Sequence, residues 1–190
     1  MIQIKNAAEL EKMRKACAIS AAALKAGGEA IEPGITTAEI DKIIYDFIVR
    51  HGARPNFLHL YGFPATACIS VNDTVIHGIP SRQQQIRPGD IVSIDTGCKI
   101  DGFNGDNACT YACGKIDLEA QRLLDVTKES LHRGIEMARG GNRVGDIGHA
   151  VQSYVEENGF SVVRSFVGHG VGKELHEDPE VPNFGNAGRG

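Results

Sequence analysis

The chain has 190 residues, 42% of them hydrophobic and 23% charged, with 20 basic and 24 acidic side chains for a net charge of −4. That composition belongs to a globular chain long enough to bury its own core, and it excludes a disordered segment and a basic nucleic-acid-binding face. Five cysteines without a CxxC spacing exclude a disulfide framework and point to a reducing, cytoplasmic setting, while the 23 glycines exceed the ordinary ~7%.

Residues 1–10 lack the apolar core of a secretory signal, and no run approaches the ~18 apolar residues of a membrane span. A first helix is predicted over 7–30, with Leu10, Met13, Cys17, Ser20, Ala21 and Leu24 at helical spacing and Glu32, Pro33 and Gly34 ending it. Thr37 is read as the cap of a second helix whose apolar face is Ile40, Ile43, Ile44, Phe47 and Ile48, closed by His51 and Gly52. Short strands are expected over 66–71 and 73–76, then a buried strand over 91–97 reached through the turn at 87–90. Asp101–Gly102 and Asn104–Gly105 are turn pairs, and 106–113 reads as the returning strand. Helices follow over 118–138 and 144–157, the latter closed by Asn158 and Gly159, with a further strand over 161–167 and a glycine-rich stretch to Gly190.

Shifted by 107 residues, the chain aligns with itself without a gap: Leu24 falls on Leu131, Gly27 on Gly134, Gly34 on Gly141, Ile40 on Ile147 and Gly52 on Gly159. Chance similarity between two amphipathic helix pairs is one explanation; duplication of a helix-helix-sheet unit is the other. On the second, the first copy spans 1–113, the second begins at 114, and a full second copy extends to about residue 220.

Asp95 interrupts an apolar strand, where an ionised carboxylate is costly without a partner. A hairpin turning at Ile100–Asp101 sets Asp95 directly opposite Asp106; one turning at Asp101–Gly102 makes the pair diagonal. Both registers put the two side chains on one face, where a proton or a cation must lie between them. The plainer alternative is a pair of turn-flanking aspartates facing solvent. Of seven histidines, His51, His59, His132 and His149 read as surface groups. His77 stands among apolar residues before a Gly-Ile-Pro turn, His169 lies within Gly168–Gly172 (GHGVG), and His176 follows seven residues later. Together with the aspartates they suggest a mixed oxygen and nitrogen metal site. The glycine run lacks the Gly-Lys-Ser/Thr ending of a phosphate loop.

Five segments, Ile69–Pro80 (ISVNDTVIHGIP), Gly89–Gly97 (GDIVSIDTG), Asp101–Asp106 (DGFNGD), Gly168–Gly172 and His176–Gly185 (HEDPEVPNFG), closely resemble type I methionine aminopeptidases, in that family's order. The resemblance implies an α+β pita-bread (creatinase/aminopeptidase-like) fold of two pseudo-two-fold related helix-helix-sheet units, the second incomplete here. It implies two divalent metal ions (Co, Mn, Fe or Zn), with Asp95 and His169 each binding one and Asp106 bridging both. His77 would contact substrate near the scissile bond, His176 would stabilise the tetrahedral intermediate, and Phe57, Leu60, Phe63 and Cys68 would line the methionine pocket. Many members carry Cys and Tyr where Phe57 and Leu60 stand. The family pattern continues into two glutamate-bearing strands that supply the remaining ligands, so weak or no activity is expected of the present chain. The implied activity is metal-dependent removal of N-terminal methionine from nascent proteins and peptides. A ribosome contact is implied by the substrate's source, although no basic tail is present to dock there; neither nucleic acid nor membrane is an expected partner. The alternatives are a non-catalytic binding module on the same scaffold and an X-Pro dipeptidase.

Overall fold

In the computed structural model, which describes residues 1–190, helix α1 (Ala7–Glu29) begins where Asn6 and Glu9 cap each other. The Asn6 Oδ1 accepts from Glu9 N at 3.0 Å and the Glu9 carboxylate accepts from Asn6 N at 3.1 Å. Helix α2 (Thr37–Arg50) repeats the device with Thr36 and Glu39. The cap is therefore Thr36, one residue before the position read from sequence, because Thr36 is the residue with extended backbone and Thr37 is already helical and buried. The short strand β1 (Arg54–Pro55) follows, then a 3-10 turn at Leu60–Gly62 and β2 (Ala67–Val71). A hairpin of β3 (Ile91–Ile100) and β4 (Phe103–Ala112) comes next. The chain continues through α3 (Leu118–Met137), α4 (Val144–Glu157), β5 (Gly168–Gly170) and β6 (Glu177–Val181).

The structure divides into two units. The larger, 4–117 with 171–175, is organised around β3, which pairs antiparallel with β1 and β2 along one edge and with β4 along the other. Side chains alternate across a strand. Val92, Ile94, Thr96 and Cys98 therefore share one face with Ala67, Ile69 and Val71 of β2, and this face forms the core with Ala23, Leu24, Ile40, Ile44 and Ile48 of the helices. Ser20 Oγ donates to Thr96 O at 3.0 Å and Cys98 Sγ to Ala16 O at 3.4 Å, fixing α1 over the strand. That contact requires Gly105, since a Cβ there would stand 2.5 Å from the Ala16 carbonyl and 2.6 Å from Cys17 N. The buried stripe of α1 is Ala16, Ser20, Ala23, Leu24, Gly27 and Gly28, so Leu10 and Ala21, which share the helical spacing, lie outside it. Small residues, not the largest apolar ones, face the sheet because the helix packs close.

The smaller unit, 1–3 with 118–170 and 176–190, contains α3, α4 and the β5–β6 ribbon. Its helix pair repeats the geometry of α1 and α2 at the expected offset of 107. Helices α2 and α4 are both 14 residues long, Thr37–Arg50 and Val144–Glu157. A Cβ on Gly27 would meet Ile44 at 2.7 Å, and one on Gly134 would meet Val151 at 2.9 Å, positions related by the same offset. The turn glycines match as well, Gly34 at φ 97° with Gly141 at φ 96°, and Gly52 at φ 73° with Gly159 at φ 77°.

Three expected elements are absent or moved. Residues 73–76 form a turn and an irregular loop, and 161–167 run mostly exposed without strand pairing; neither stretch has a ladder partner to make its β-branched residues a strand. Asn104 and Gly105 lie inside β4, not in a turn, because the hairpin reverses at Asp101–Gly102 alone, with Ile100 paired to Phe103.

Candidate metal centre and substrate pocket

The face of β3 turned away from the helices carries the candidate carboxylates. The reversal at Asp101–Gly102 selects the diagonal register: Asp95 pairs with Ala108, and Asp106 with Gly97. Asp95 and Asp106 therefore sit two residues out of step on one face and share a hydrogen bond. Burial, the charge of Asp106 and that hydrogen bond push the Asp95 carboxyl up to about 7. A hydrogen bond between two carboxyl groups requires a proton on one of them, so the pair holds a cation in the simplest form available. Oxygen donors of this kind suit a hard divalent metal ion in the proton's place. Cys68 of β2 lies directly across from Asp95, and its thiol is pushed up to about 12 by burial and the nearby aspartates. It remains a protonated thiol beside the carboxylates.

Asp41, to which no sequence motif gives a role, secures this corner. Its Oδ1 accepts from Thr66 N at 2.9 Å and Ala67 N at 2.8 Å, tying α2 to the first residues of β2; burial raises its carboxyl, opposed by those two hydrogen bonds. The available signal is an acid beside Ile40 and three residues before Ile44, on the apolar side of α2.

His77 sits on the exposed edge of β2 with a left-handed backbone, φ 57°. Its neighbour Gly78 is held against the strand by two hydrogen bonds: Gly78 N donates to Ser70 Oγ at 3.0 Å and Ile69 N donates to Gly78 O at 2.8 Å. The backbone is thus held on the C-terminal side of His77, which itself adopts a conformation that L residues rarely take up. Phe57 is buried against Gly97, its ring 3.4 Å from where a Cβ would stand. Leu60 and Phe63 are half-buried and belong to the same tight turn, closed by Leu60 N to Phe57 O and Phe63 N to Leu60 O, both 2.9 Å. An open hollow of about 280 Å³ elsewhere in this unit, lined by Asn72, Gln84 and Arg87 among others, contains none of these groups.

In the smaller unit, β5 and β6 bring His169 and His176 together with ring centroids 4.4 Å apart and planes inclined by 55°. His169 donates from Nδ1 to Gly170 O at 2.9 Å. In the neutral ring this places the acceptor lone pair on Nε2, the usual preparation of a metal-binding imidazole. Gly170 is needed here, since a Cβ would lie 2.6 Å from Asp178 O.

Residues 11–189 match the Peptidase_M24 family, metallopeptidase family M24. Over 190 residues the chain is 54% identical to a methionine aminopeptidase of Clostridium perfringens, covering 100% of this chain and 76% of that one. The crystal structure of methionine aminopeptidase from Thermotoga maritima superposes with a TM-score of 0.97 at 41% identity, covering 99% of this chain and 76% of the other. The prolidase from Pyrococcus furiosus shares the fold at a TM-score of 0.84, with identity falling to 25% and 53% of that chain covered. A carboxylate pair on one sheet face, a prepared histidine and these matches lead to one conclusion: the chain belongs to metallopeptidase family M24.

Proposed function

We propose that the chain is a methionine aminopeptidase that hydrolyses the first peptide bond of proteins and peptides beginning with methionine. The observation that carries this reading is the hydrogen-bonded pair of Asp95 and Asp106 on a half-buried strand face, an arrangement that calls for a cation. The 54% identity to a methionine aminopeptidase, against 25% to a prolidase, supports methionine over X-Pro substrates.

Asp95, Asp106 and His169 are the residues we assign to two divalent metal ions, of Mn, Fe, Co or Zn. When bound, such ions supply Lewis acidity and make water a competent nucleophile near neutral pH. The protein's own groups do the rest. The carboxylates give up their shared proton on loading and supply the negative charge that keeps the cations. His176 donates a hydrogen bond to the oxygen on which charge develops as the carbonyl becomes tetrahedral. His77, held in its strained conformation, orients the peptide bond. Phe57, Leu60, Phe63 and Cys68 receive the methionine side chain and exclude water from it. Nascent chains at the ribosome are the natural source of such substrates.

Incubation with Met-Ala-Ser in Mn(II), Co(II) or Fe(II) tests the reading. Slow release of free methionine at most is expected from the three ligands assigned here, with free methionine bound in preference to Ala-Pro. Preferential cleavage of Ala-Pro, or no binding of methionine in any of the three metals, would overturn it.

A further inference from the structure

Asn56 immediately follows β1, and its backbone N–H donates to Gly97 O at 3.0 Å, so its position along β3 is fixed. Its side-chain Nδ2 is buried and has no hydrogen-bond partner. Buried amide donors are nearly always paired, and an unpaired one is destabilising, so this group needs a physical explanation. Its location supplies one. Side chains alternate along β3, so Gly97 belongs to the face of Asp95, and Asp106 is its cross-strand partner. A Cβ on Gly97 would stand 3.2 Å from Asn56 Nδ2, 3.4 Å from Phe57 Cε1 and 2.9 Å from Gly105 O. The missing side chain lets the Asn56 amide and the Phe57 ring pack down onto the strand from the same side. The unpaired donor is therefore held beside the carboxylates, within the wall that Phe57 forms.

We infer that Asn56 is a specificity residue whose Nδ2–H donates to the sulfur of the substrate's methionine side chain. The inference rests on the methionine-pocket reading above. The other groups assigned to that pocket, Phe57, Leu60, Phe63 and Cys68, are apolar or bear a protonated thiol. Hydrophobic walls discriminate poorly between methionine and its near-isostere norleucine, in which a CH₂ replaces the sulfur. A thioether is a weak hydrogen-bond acceptor and a methylene is none. A buried donor that goes unmet in the free chain, and is met only by the correct side chain, converts that small chemical difference into selectivity. It also accounts for the retention of a destabilising group at this position; the other buried amide without a partner, Asn107 Nδ2, belongs to the opposite face, paired with Thr96.

The test compares Met-Ala-Ser with norleucine-Ala-Ser in Mn(II), and the binding of free methionine with that of norleucine by calorimetry, for the full chain and for Asn56→Leu. Wild type is expected to favour the sulfur compound by about fivefold in KM and in binding, the worth of one modest hydrogen bond. Asn56→Leu should bring both ratios to about one, with a melting temperature equal to or above wild type because the unsatisfied donor is gone. Should the leucine variant fold poorly, Asn56→Ala, which removes the donor and adds no volume, is expected to lose the same discrimination. Unchanged ratios in a folded variant would overturn the inference while leaving the aminopeptidase reading intact; that is the outcome expected of a purely structural amide satisfied by a trapped water. A wild-type chain that neither cleaves these peptides nor binds methionine or norleucine would overturn the aminopeptidase reading and this inference with it.

Discussion

Asp95 carries the most consequential charge in the chain. Its folded-state pKa, about 7, lies well above the ordinary carboxylate range, so the metal-free folded chain binds more protons than the unfolded chain between about pH 4 and pH 7. Stability of the metal-free protein should therefore fall as pH rises through that window, by on the order of a few kcal/mol, since each tenfold change in proton affinity is worth about 1.4 kcal/mol. Denaturant midpoints in EDTA at pH 5 and pH 7 should show the decline, and Asp95→Asn should flatten it; a midpoint that rises with pH in wild type would contradict the assignment. Asp41 offers a different prediction. Asp41→Ala leaves the Thr66 and Ala67 N–H groups without their acceptor and should cost about 2–4 kcal/mol, whereas Asp41→Asn keeps a carbonyl oxygen in place and should cost much less. Equal losses in the two variants, read by chemical denaturation, would show that the contact is not what holds the start of β2. The Asp95–Asp106 pair is legible in sequence because an acid inside an apolar strand is conspicuous. Asp41 and Asn56 are not, because a polar residue near a helix stripe or a strand end reads equally well as solvent-exposed until its partners, or their absence, are seen.

The elements divide by whether their signal is local. All four helices are legible, because apolar spacing and glycine stops act within a turn or two. The β3–β4 hairpin is legible down to two registers, and the reversal at Asp101–Gly102, with Asp101 at φ 52° and Gly102 at φ 84°, selects the diagonal one. Residues 161–167 mislead because valine-rich composition expresses a preference for strand, whereas pairing depends on a partner remote in sequence. The packing of α1 on β4 is not legible at all: it depends on Gly105 meeting the backbone of Ala16 and Cys17. Gly105→Ala should therefore push the helix off the hairpin and lower stability by about 1–3 kcal/mol or more. Gly140→Ala, at a site with nothing within 4 Å of the added carbon, should be close to neutral. A thermal melt of each variant distinguishes the two, and a neutral Gly105→Ala would mean that α1 does not pack as described.

At the scale of the whole chain, the offset of 107 is the deepest regularity. It relates two helix pairs in length, in turn geometry and in the contact of a helix glycine with a β-branched side chain, Gly27 on Ile44 and Gly134 on Val151. The chemistry-bearing residues do not follow the repeat: the carboxylates rise from a hairpin in the larger unit, and the histidines from a two-stranded ribbon in the smaller. On composition alone, 190 residues suffice for a complete domain; set against relatives of which the chain covers about three quarters, they make up most of one family member. The central claim is that the proton shared by Asp95 and Asp106 marks a cation site. Calorimetric titration of Mn(II) at pH 6.5, repeated in buffers of different ionisation enthalpy, counts the protons released on binding. The expected result is binding with about one proton released per pair, lost in Asp106→Asn; binding without proton release, or binding unaffected by Asp106→Asn, would contradict it.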